Sequence, residues 1–281
     1  MLRTRVMTAV VLLMVLLAVL YADWYPVLAI TAAVFLFAAA WESGRLFGAK
    51  YPLVGAVVWT VVLLALAFHD TVMSDTPHTV RGVLVTLAAI SVAIWLVRLA
   101  PSLAVGLPPV KTAGNWLLSF TYCIALLACF TSILLLFQHS TLYLFSVMAL
   151  VWLADIGAYF SGKAFGKRKL APSISPGKSW EGVIGGWLTV VILAGGSAFV
   201  AQLADTFSPR LLAAWGWGGW LGIMTLIVAA SVVGDLFESQ LKRRIGMKDS
   251  SNLLPGHGGV LDRIDALIPV LPLALLCGQW M

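Results

Sequence analysis

Nine long apolar stretches, separated by short polar connections, dominate the sequence. Each holds close to the ~20 residues that an α-helix needs to cross a lipid bilayer. Apolar residues follow one another continuously instead of alternating with polar ones, which favours helices over the strands of a membrane β-barrel. The sequence therefore predicts an all-α polytopic integral membrane protein with about nine transmembrane helices. They cover residues 6–21, 25–41, 52–68, 79–97, 116–137, 141–160, 183–201, 211–234 and 264–280.

The composition agrees with a membrane environment. Of the 281 residues, 61% are hydrophobic and only 11% are charged, whereas a soluble domain carries roughly 25% charged residues. A soluble fold of this size could not bury so much apolar side chain, which excludes a soluble enzyme, a disordered chain and a secreted disulfide scaffold. The three cysteines lie inside apolar stretches without CxxC spacing, so they are predicted to be apolar residues of the spans.

The basic residues predict how the chain is oriented. With the N-terminus in the cytoplasm, 16 of the 18 Lys and Arg residues fall on the cytoplasmic side, and only Arg81 and Arg210 fall outside. This asymmetry follows the positive-inside rule and predicts a C-terminus on the outer side. It also explains the net charge of +6 without a nucleic-acid partner. Arg3 and Arg5 before the first span leave a cleaved signal peptide as an alternative, but no clean cleavage site follows, so an uncleaved anchor is expected.

Charge is concentrated in two blocks on the predicted cytoplasmic side. Residues 155–181 and 235–265 together hold 17 of the 30 charged residues, and the blocks contain both signs. A segment that only sets membrane topology needs Lys and Arg but no acidic residues, so the mixture of both signs is unlike a segment of that kind. The spans carry few polar groups, and no internal repeat is evident, which disfavours a carrier or channel.

These blocks define the predicted organisation of the chain. Residues 116–281 are predicted to form the catalytic transmembrane region, with cytoplasmic loops at 161–182 and 236–263. Residues 1–115 are predicted to form N-terminal transmembrane helices that act as scaffold or partner surface.

Carboxylates in the second block predict a metal site. Asp235 ends one predicted span, and Asp262 and Asp265 open the last one with the i, i+3 spacing that places side chains on one helix face. Charged groups at a membrane boundary are costly unless they are paired, hydrated or metal-bound. Several carboxylates without cysteine suit Mg²⁺, which is often held by one or two carboxylates together with substrate phosphates.

Basic residues surround these acids and predict a polyphosphate ligand. Gly258 and Gly259 would let the backbone approach a ligand closely. Acids for a metal beside bases for phosphate indicate phosphoryl or nucleotidyl transfer at the membrane face. The cations that suit phosphate oxygens are Lys242, Arg243, Lys248 and Arg263.

The first block predicts an anion site at a helix N-terminus. Ser175 is predicted to cap this helix and Pro176 to occupy its first turn. Lys178 and Ser179 would then lie beside the N-terminal amide groups.

The first block has two other possible interpretations, a P-loop and a loop that anchors topology. Gly177-Lys178-Ser179 imitates the end of a P-loop, but Pro172 occupies a glycine position and no strand precedes it, which excludes a soluble NTPase fold. A loop that only anchors topology is the alternative for Lys163 and residues 167–169.

Two strings resemble the signature segments of the phosphatidate cytidylyltransferase family, also called the CDP-diglyceride synthases. The first is SQLKRRIGMKDSSNLLPGHGGVLDRID over residues 239–265, in which about a dozen fixed positions agree. The second is SPGKSWEG over residues 175–182, a segment that faces the nucleotide in that family. The resemblance covers most of the second half of the chain and is diffuse over the first four spans.

This resemblance implies a reaction and its participants. CTP and phosphatidic acid would give CDP-diacylglycerol and pyrophosphate, with Mg²⁺ as the cofactor and a monovalent cation such as K⁺ as a second ion. The family also implies a homodimer with a cavity that opens sideways to the bilayer. The expected location is the bacterial inner membrane, with the active site facing the cytoplasm.

The resemblance and the residue chemistry together imply roles for individual side chains. His257 would either bind a phosphate or brace the turn, with no preference between the two. Catalytic roles are expected for Asp235, Asp262, Lys248 and Arg263. Metal ligands or their orienting partners are expected to be Asp235, Asp262, Asp155, Asp249 and Asp265. Substrate-binding roles are expected for Ser175, Lys178, Ser179, Glu181, Lys242, Arg243, His257, Gly258 and Gly259.

The sequence disfavours several rival functions. A CDP-alcohol phosphotransferase would carry a longer aspartate string with DG-x-x-AR, and a polyprenyl-phosphate enzyme would carry adjacent aspartates, and neither pattern occurs. A non-catalytic membrane scaffold is disfavoured because the acids of the signature are intact.

The predicted orientation can be tested with C-terminal fusions. Alkaline phosphatase folds only outside the cytoplasm, so its fusion is expected to be active, while a fusion of green fluorescent protein is expected to be dark. A fluorescent fusion together with an inactive phosphatase would contradict the predicted orientation.

Overall fold

The computed structural model describes residues 2–72 and 77–279, and these residues are almost entirely helical. A π-helical turn, Trp95–Leu99, joins the helix that ends at Ile94 to the one that begins at Ala100, and a 3₁₀ turn, Ala201–Leu203, follows the helix that ends at Ser197. The helices are α1 (Leu2–Ala22), α2 (Tyr25–Leu46), α3 (Pro52–Val72), α4 (Pro77–Ile94), α5 (Ala100–Val105), α6 (Ala113–His139), α7 (Thr141–Phe165), α8 (Trp180–Ser197), α9 (Phe207–Arg244), α10 (Leu261–Ile264) and α11 (Leu267–Gly278). The antiparallel strands β1 (Lys169–Ala171) and β2 (Ser175–Ser179) form a hairpin between α7 and α8.

The predicted class, an all-α polytopic membrane protein, is confirmed. Within the described residues, seven helical segments are long and apolar enough to cross a membrane. Neither α1 nor α11 is among the seven, and α11 has only 12 residues with Pro272 inside it. The predicted ninth span is also interrupted, because α10 ends at Ile264 and α11 begins at Leu267. A count of nine spans and the orientation of the termini stay predictions.

The short helix α11 lies in the centre of the bundle. It contacts α4, α6, α7 and α9, and most of its side chains are buried. A helix that is apolar on all sides is stable only when neighbours surround it. Because α10 directly precedes α11, this packing places the signature segment against the other helices at one end of the bundle.

Small residues let α7 and α8 pack closely along their length. A Cβ atom at Gly186 would lie 2.5 Å from the carbonyl oxygen of Ala154, and one at Gly185 would lie 1.9 Å from Ser161 Oγ. Larger side chains would therefore separate the helices, and small residues at helix contacts commonly serve this purpose in membrane proteins. The close contact fixes the hairpin that connects the two helices.

The predicted boundaries of both cytoplasmic loops are wrong. In place of a loop at 161–182, α7 continues to Phe165 and α8 begins at Trp180. In place of a loop at 236–263, α9 continues to Arg244, after a break at Gly216 where φ is +61°. The extension stays helical because charged residues recur at helical spacing on one face, while Phe237 and Leu241 are fully buried on another.

Arg244 ties the end of α9 to the N-terminal helices. Its guanidinium donates hydrogen bonds to the carbonyl oxygens of Pro108 at 3.1 Å and Leu46 at 3.0 Å, and to Asn115 Oδ1 at 2.8 Å. Its Cζ also lies 5.2 Å from the centroid of the Phe47 ring, which is within the range of a cation–π contact. The sequence indicated only a topological role for this residue.

We expect Arg244→Ala to destabilise the protein, because three acceptors in a partly buried site lose a charged donor. Each such hydrogen bond contributes about 1.5 kcal/mol or more. The melting temperature in detergent should fall clearly below that of Arg243→Ala, whose exposed guanidinium donates hydrogen bonds to the carbonyl oxygens of Ile174 and Met247. Equal melting temperatures for the two variants would contradict this role.

Candidate active site

A cavity of about 490 Å³ lies between α7, α8, α9 and β2. Its wall is formed largely by small and apolar residues such as Ala158, Gly182 and Val232. The two charged blocks of the sequence thus contribute to one cavity. The charged and hydroxyl-bearing residues on its wall are Asp155, Tyr159, Lys163, Ser175, Lys178, Ser179, Ser231 and Asp235.

An ion pair between Lys178 and Asp235 joins the two blocks directly. Lys178 lies on β2 and Asp235 on α9, and their side chains are 27% and 31% exposed. Asp155 on α7 interacts electrostatically with both of them. Two carboxylates and one ammonium group therefore share a partly hydrated space, where they can meet an anionic ligand and a cation together.

The predicted start of α8 is wrong, because Ser175 and Pro176 lie in a strand. Residues Ser175–Ser179 form β2, which pairs with β1. Ser179 caps the helix in place of Ser175, since its Oγ accepts a hydrogen bond from the Gly182 amide at 3.2 Å. Both serines satisfy the local preference for an N-cap. Because the segment from Ser175 to Ser179 pairs with β1 as a strand, the helix can begin only after Ser179.

Glu181 lies in the first turn of α8 and is not part of the cavity wall. Its carboxylate accepts hydrogen bonds from the backbone amides of Lys167 and Arg168, each at 3.1 Å. These contacts hold the connection after α7 against the first turn of α8. The substrate-binding role assigned to Glu181 from the sequence stays a prediction.

A second charged group surrounds Lys242 on α9. Its ammonium forms ion pairs with Glu238, four residues earlier, and with Asp262 at 2.5 Å. Glu238 is completely buried, and Lys242 is 8% exposed. A buried charge without a partner costs several kcal/mol, so Lys242 holds both carboxylates in place.

Asp262 accepts hydrogen bonds on both carboxylate oxygens. Oδ1 faces Lys242, while Oδ2 receives the amide of Gly259 at 2.7 Å, and the amide and hydroxyl of Ser250 at 2.8 Å and 2.9 Å. Burial by itself raises the pKa of Asp262, but the Lys242 ammonium and the backbone amides outweigh burial and lower this pKa below its ordinary value. Asp262 is therefore a carboxylate at neutral pH.

Asp265 connects the two charged groups. It interacts electrostatically with Asp235 and with Glu238. A Cβ atom at Gly234 would lie 2.4 Å from the Asp265 carbonyl oxygen, so the backbone after α10 rests directly on α9 beside Asp235.

Among the described residues, no group of three or more acid, histidine or cysteine side chains has the arrangement of a metal site. Asp155 and Asp235 nevertheless fit Mg²⁺, which needs only one or two carboxylates when substrate phosphates complete its coordination. Asp262 differs, because a cation there would have to replace the Lys242 ammonium. The metal roles of these residues, and those of Asp249 and Asp265, stay predictions.

Lys248 and Asp249 lie away from the main cavity wall. They line a smaller cavity of about 240 Å³ together with Arg45 from α2. The guanidinium of Arg263 donates two hydrogen bonds to the carbonyl oxygen of His257, at 3.1 Å and 2.6 Å, and so closes the turn of the signature loop. In the described part of the chain, His257 Nδ1 is buried without a hydrogen-bond partner.

The two signature glycines allow the loop to close on itself. Gly258 has φ of +82°, and a Cβ atom there would lie 2.7 Å from Asp262 Oδ2. At Gly259 a Cβ atom would lie 2.0 Å from Ser250 Oγ and 2.4 Å from Glu42 Oε1. The sequence predicted that these glycines make room for a ligand, and in the structure they make room for neighbouring protein groups.

Several residues of the site were missed from the sequence. Glu42 at the end of α2 contacts the signature loop, and an acidic residue directly after a predicted span could have identified it. Glu238 could have been found because it lies three residues after Asp235 and four before Lys242. Lys163 and Tyr159 could have been found from their spacing to Asp155 on the same helix.

Comparison with known proteins agrees with this geometry. A model of the cytidylyltransferase family matches residues 3–280. A Pseudomonas aeruginosa protein named phosphatidate cytidylyltransferase is 40% identical over 287 residues, which cover 100% of this chain and 99% of that protein. A Haemophilus influenzae protein of the same name is 38% identical over 291 residues, covering 97% and 96%. Because the match extends over nearly the whole chain, this protein belongs to the cytidylyltransferase family.

Proposed function

We propose that this protein transfers CMP from CTP to phosphatidic acid and produces CDP-diacylglycerol and pyrophosphate. The observation that carries this proposal is the cavity in which Lys178 of the first charged block meets Asp235 of the second. Membership in the cytidylyltransferase family and full-length similarity to proteins named phosphatidate cytidylyltransferase support it. The lipid substrate agrees with a site built at one end of a bundle of apolar helices.

The proposed reaction is a nucleotidyl transfer. An oxygen of the lipid phosphate attacks the α-phosphorus of CTP, the bond from that phosphorus to the bridging oxygen breaks, and pyrophosphate leaves. The attacking phosphate monoester is already ionised near neutral pH, so the reaction needs little help from a general base. Bringing two polyanions together is the main difficulty, which makes positioning and charge neutralisation the principal tasks of the protein.

The residues on the cavity wall suit these tasks. Lys178 and Lys163 would neutralise phosphate oxygens, and the hydroxyl of Ser175 would donate a hydrogen bond to one of them. Asp155 and Asp235 would hold Mg²⁺, which when bound would neutralise the triphosphate and the developing charge. In this proposal, ligand binding separates Lys178 from Asp235 and pairs Lys178 with phosphate.

The finer parts of the proposal follow from the charge pattern and the family. We propose nine spans with a cytoplasmic N-terminus, a location in the bacterial inner membrane and an active site on the cytoplasmic face. A homodimer and a second, monovalent cation such as K⁺ are also part of the proposal.

Purified protein in detergent tests the proposed reaction. With phosphatidic acid, labelled CTP and Mg²⁺, we expect lipid-bound label and pyrophosphate to form in equal amounts. CTP hydrolysis without labelled lipid, or label transfer only to a lipid other than phosphatidic acid, would contradict the proposal.

We expect Asp235→Asn to lower turnover by roughly 100-fold or more, because charge stabilisation at the reacting phosphates would be lost. The melting temperature should stay near that of the wild type, since the side chain is partly exposed. Asp205→Asn is the matched control, because Asp205 lies just before α9 and pairs with Arg210 in the first turn of that helix, at the opposite end from Asp235. Wild-type turnover in the Asp235 variant would remove this residue from the mechanism.

A further inference from the structure

Glu42, at the C-terminal end of α2, is a completely buried carboxylate that contacts the signature loop. Oε1 accepts hydrogen bonds from Ser251 Oγ at 2.5 Å and from the Val260 amide at 3.0 Å. Oε2 accepts one from the Leu261 amide at 2.6 Å and lies 3.1 Å from Ser250 Oγ. These partners lie more than 200 residues away in the sequence. Val260 and Leu261 are at the start of α10, and the two serines lie earlier in the signature loop.

A carboxylate is the group that suits this environment. The Val260 and Leu261 amides donate to different oxygens of Glu42, so both oxygens must be acceptors. In a glutamine side chain, one of the two positions would be an NH₂ group facing an N–H donor. Glu42 therefore fixes the Gly259–Val260 and Val260–Leu261 peptide groups, which lie shortly before Asp262.

Ser250 extends this contact to the Asp262 side chain. Its hydroxyl lies between Glu42 Oε2 at 3.1 Å and Asp262 Oδ2 at 2.9 Å. Because a hydroxyl has one proton, it donates to one carboxylate at a time, while the Ser250 amide donates steadily to Asp262 at 2.8 Å. Ser250, which Glu42 contacts, thus helps to orient Asp262 together with Lys242 and the Gly259 amide.

We propose that Glu42 is a positioning residue of the active site, which holds Asp262 in its working orientation through Ser250 and the peptide groups before α10. It touches no substrate itself. For its effect on turnover, this inference rests on the proposed function and on the catalytic role that the sequence predicts for Asp262. The anchoring of the loop is measurable without either. It also gives residues 1–115 a part in the site beyond the scaffold role predicted from the sequence.

The test compares Glu42→Gln and Ser250→Ala in the full-length protein with the control Ser43→Ala. Ser43 is adjacent on α2 and equally buried, and it has no hydrogen bond to the loop. We expect turnover to fall about tenfold or more in the two test variants, the range typical for partners that orient a functional side chain. The KM for CTP should change much less than kcat, and Ser43→Ala should keep wild-type turnover.

Hydrogen exchange in the absence of substrates separates local anchoring from general destabilisation. In Glu42→Gln and Ser250→Ala, the amides of residues 259–262 should exchange at least about tenfold faster, while those of α8 keep wild-type rates. If Glu42→Gln does not fold, Ser250→Ala still tests the inference by both measurements. Ser251→Ala should lose less turnover than Ser250→Ala, because Ser251 contacts Glu42 but not Asp262.

Unchanged exchange at residues 259–262 in the folded test variants would overturn the inference, whatever activity the wild type has. Equal loss of turnover in the two serine variants would overturn the connection through Ser250. If the wild type forms no CDP-diacylglycerol, the proposed function is contradicted instead. The hydrogen-exchange rates of residues 259–262 would then still test whether Glu42 anchors the loop.

Discussion

The need to neutralise buried charge at one end of an apolar helix bundle determines how this protein folds around its site. Lys242 lies between Glu238 and Asp262, and Glu42 is surrounded by hydroxyl and amide donors from the signature loop. Removing one partner would leave an uncompensated charge in a buried site, at a cost of about 3–5 kcal/mol. The extension of α9, the turn into α10 and the end of α2 are therefore positioned together.

This network supports a cavity whose own charges are more exposed. Close packing of α7 against α8 fixes the hairpin, and the hairpin places Lys178 opposite Asp235. Asp262 is held by four contacts, whereas the side chains of Lys178 and Asp235 are partly exposed. A rigid inner group beside an accessible outer group is suited to a reaction in which two polyanions must be held in a defined arrangement.

Local sequence patterns were sufficient for some features of the site and insufficient for others. The membrane class and the helical segments follow from the length of the apolar runs, and the charged blocks were visible from composition. The helix start at Ser175 was wrong because Ser175 and Ser179 both meet the rule for an N-cap, and only pairing with Lys169–Ala171 makes the first of them part of a strand. The loop after Asp235 begins later than the sequence predicts. Charged residues can end a membrane-spanning helix, but here they form one face of a helix that continues to Arg244.

The sequence by itself determined that the chain is a helical membrane protein, that many of its charged residues cluster in two blocks, and that these blocks resemble a cytidylyltransferase signature. Only the tertiary structure decided which charges meet: Lys178 with Asp235, Lys242 with Glu238 and Asp262, and Glu42 with the loop before α10. The physical reason is that helix formation and membrane insertion depend on neighbouring residues. The contacts of the charged groups depend instead on distances between segments up to 219 residues apart, which the packing of the helices sets.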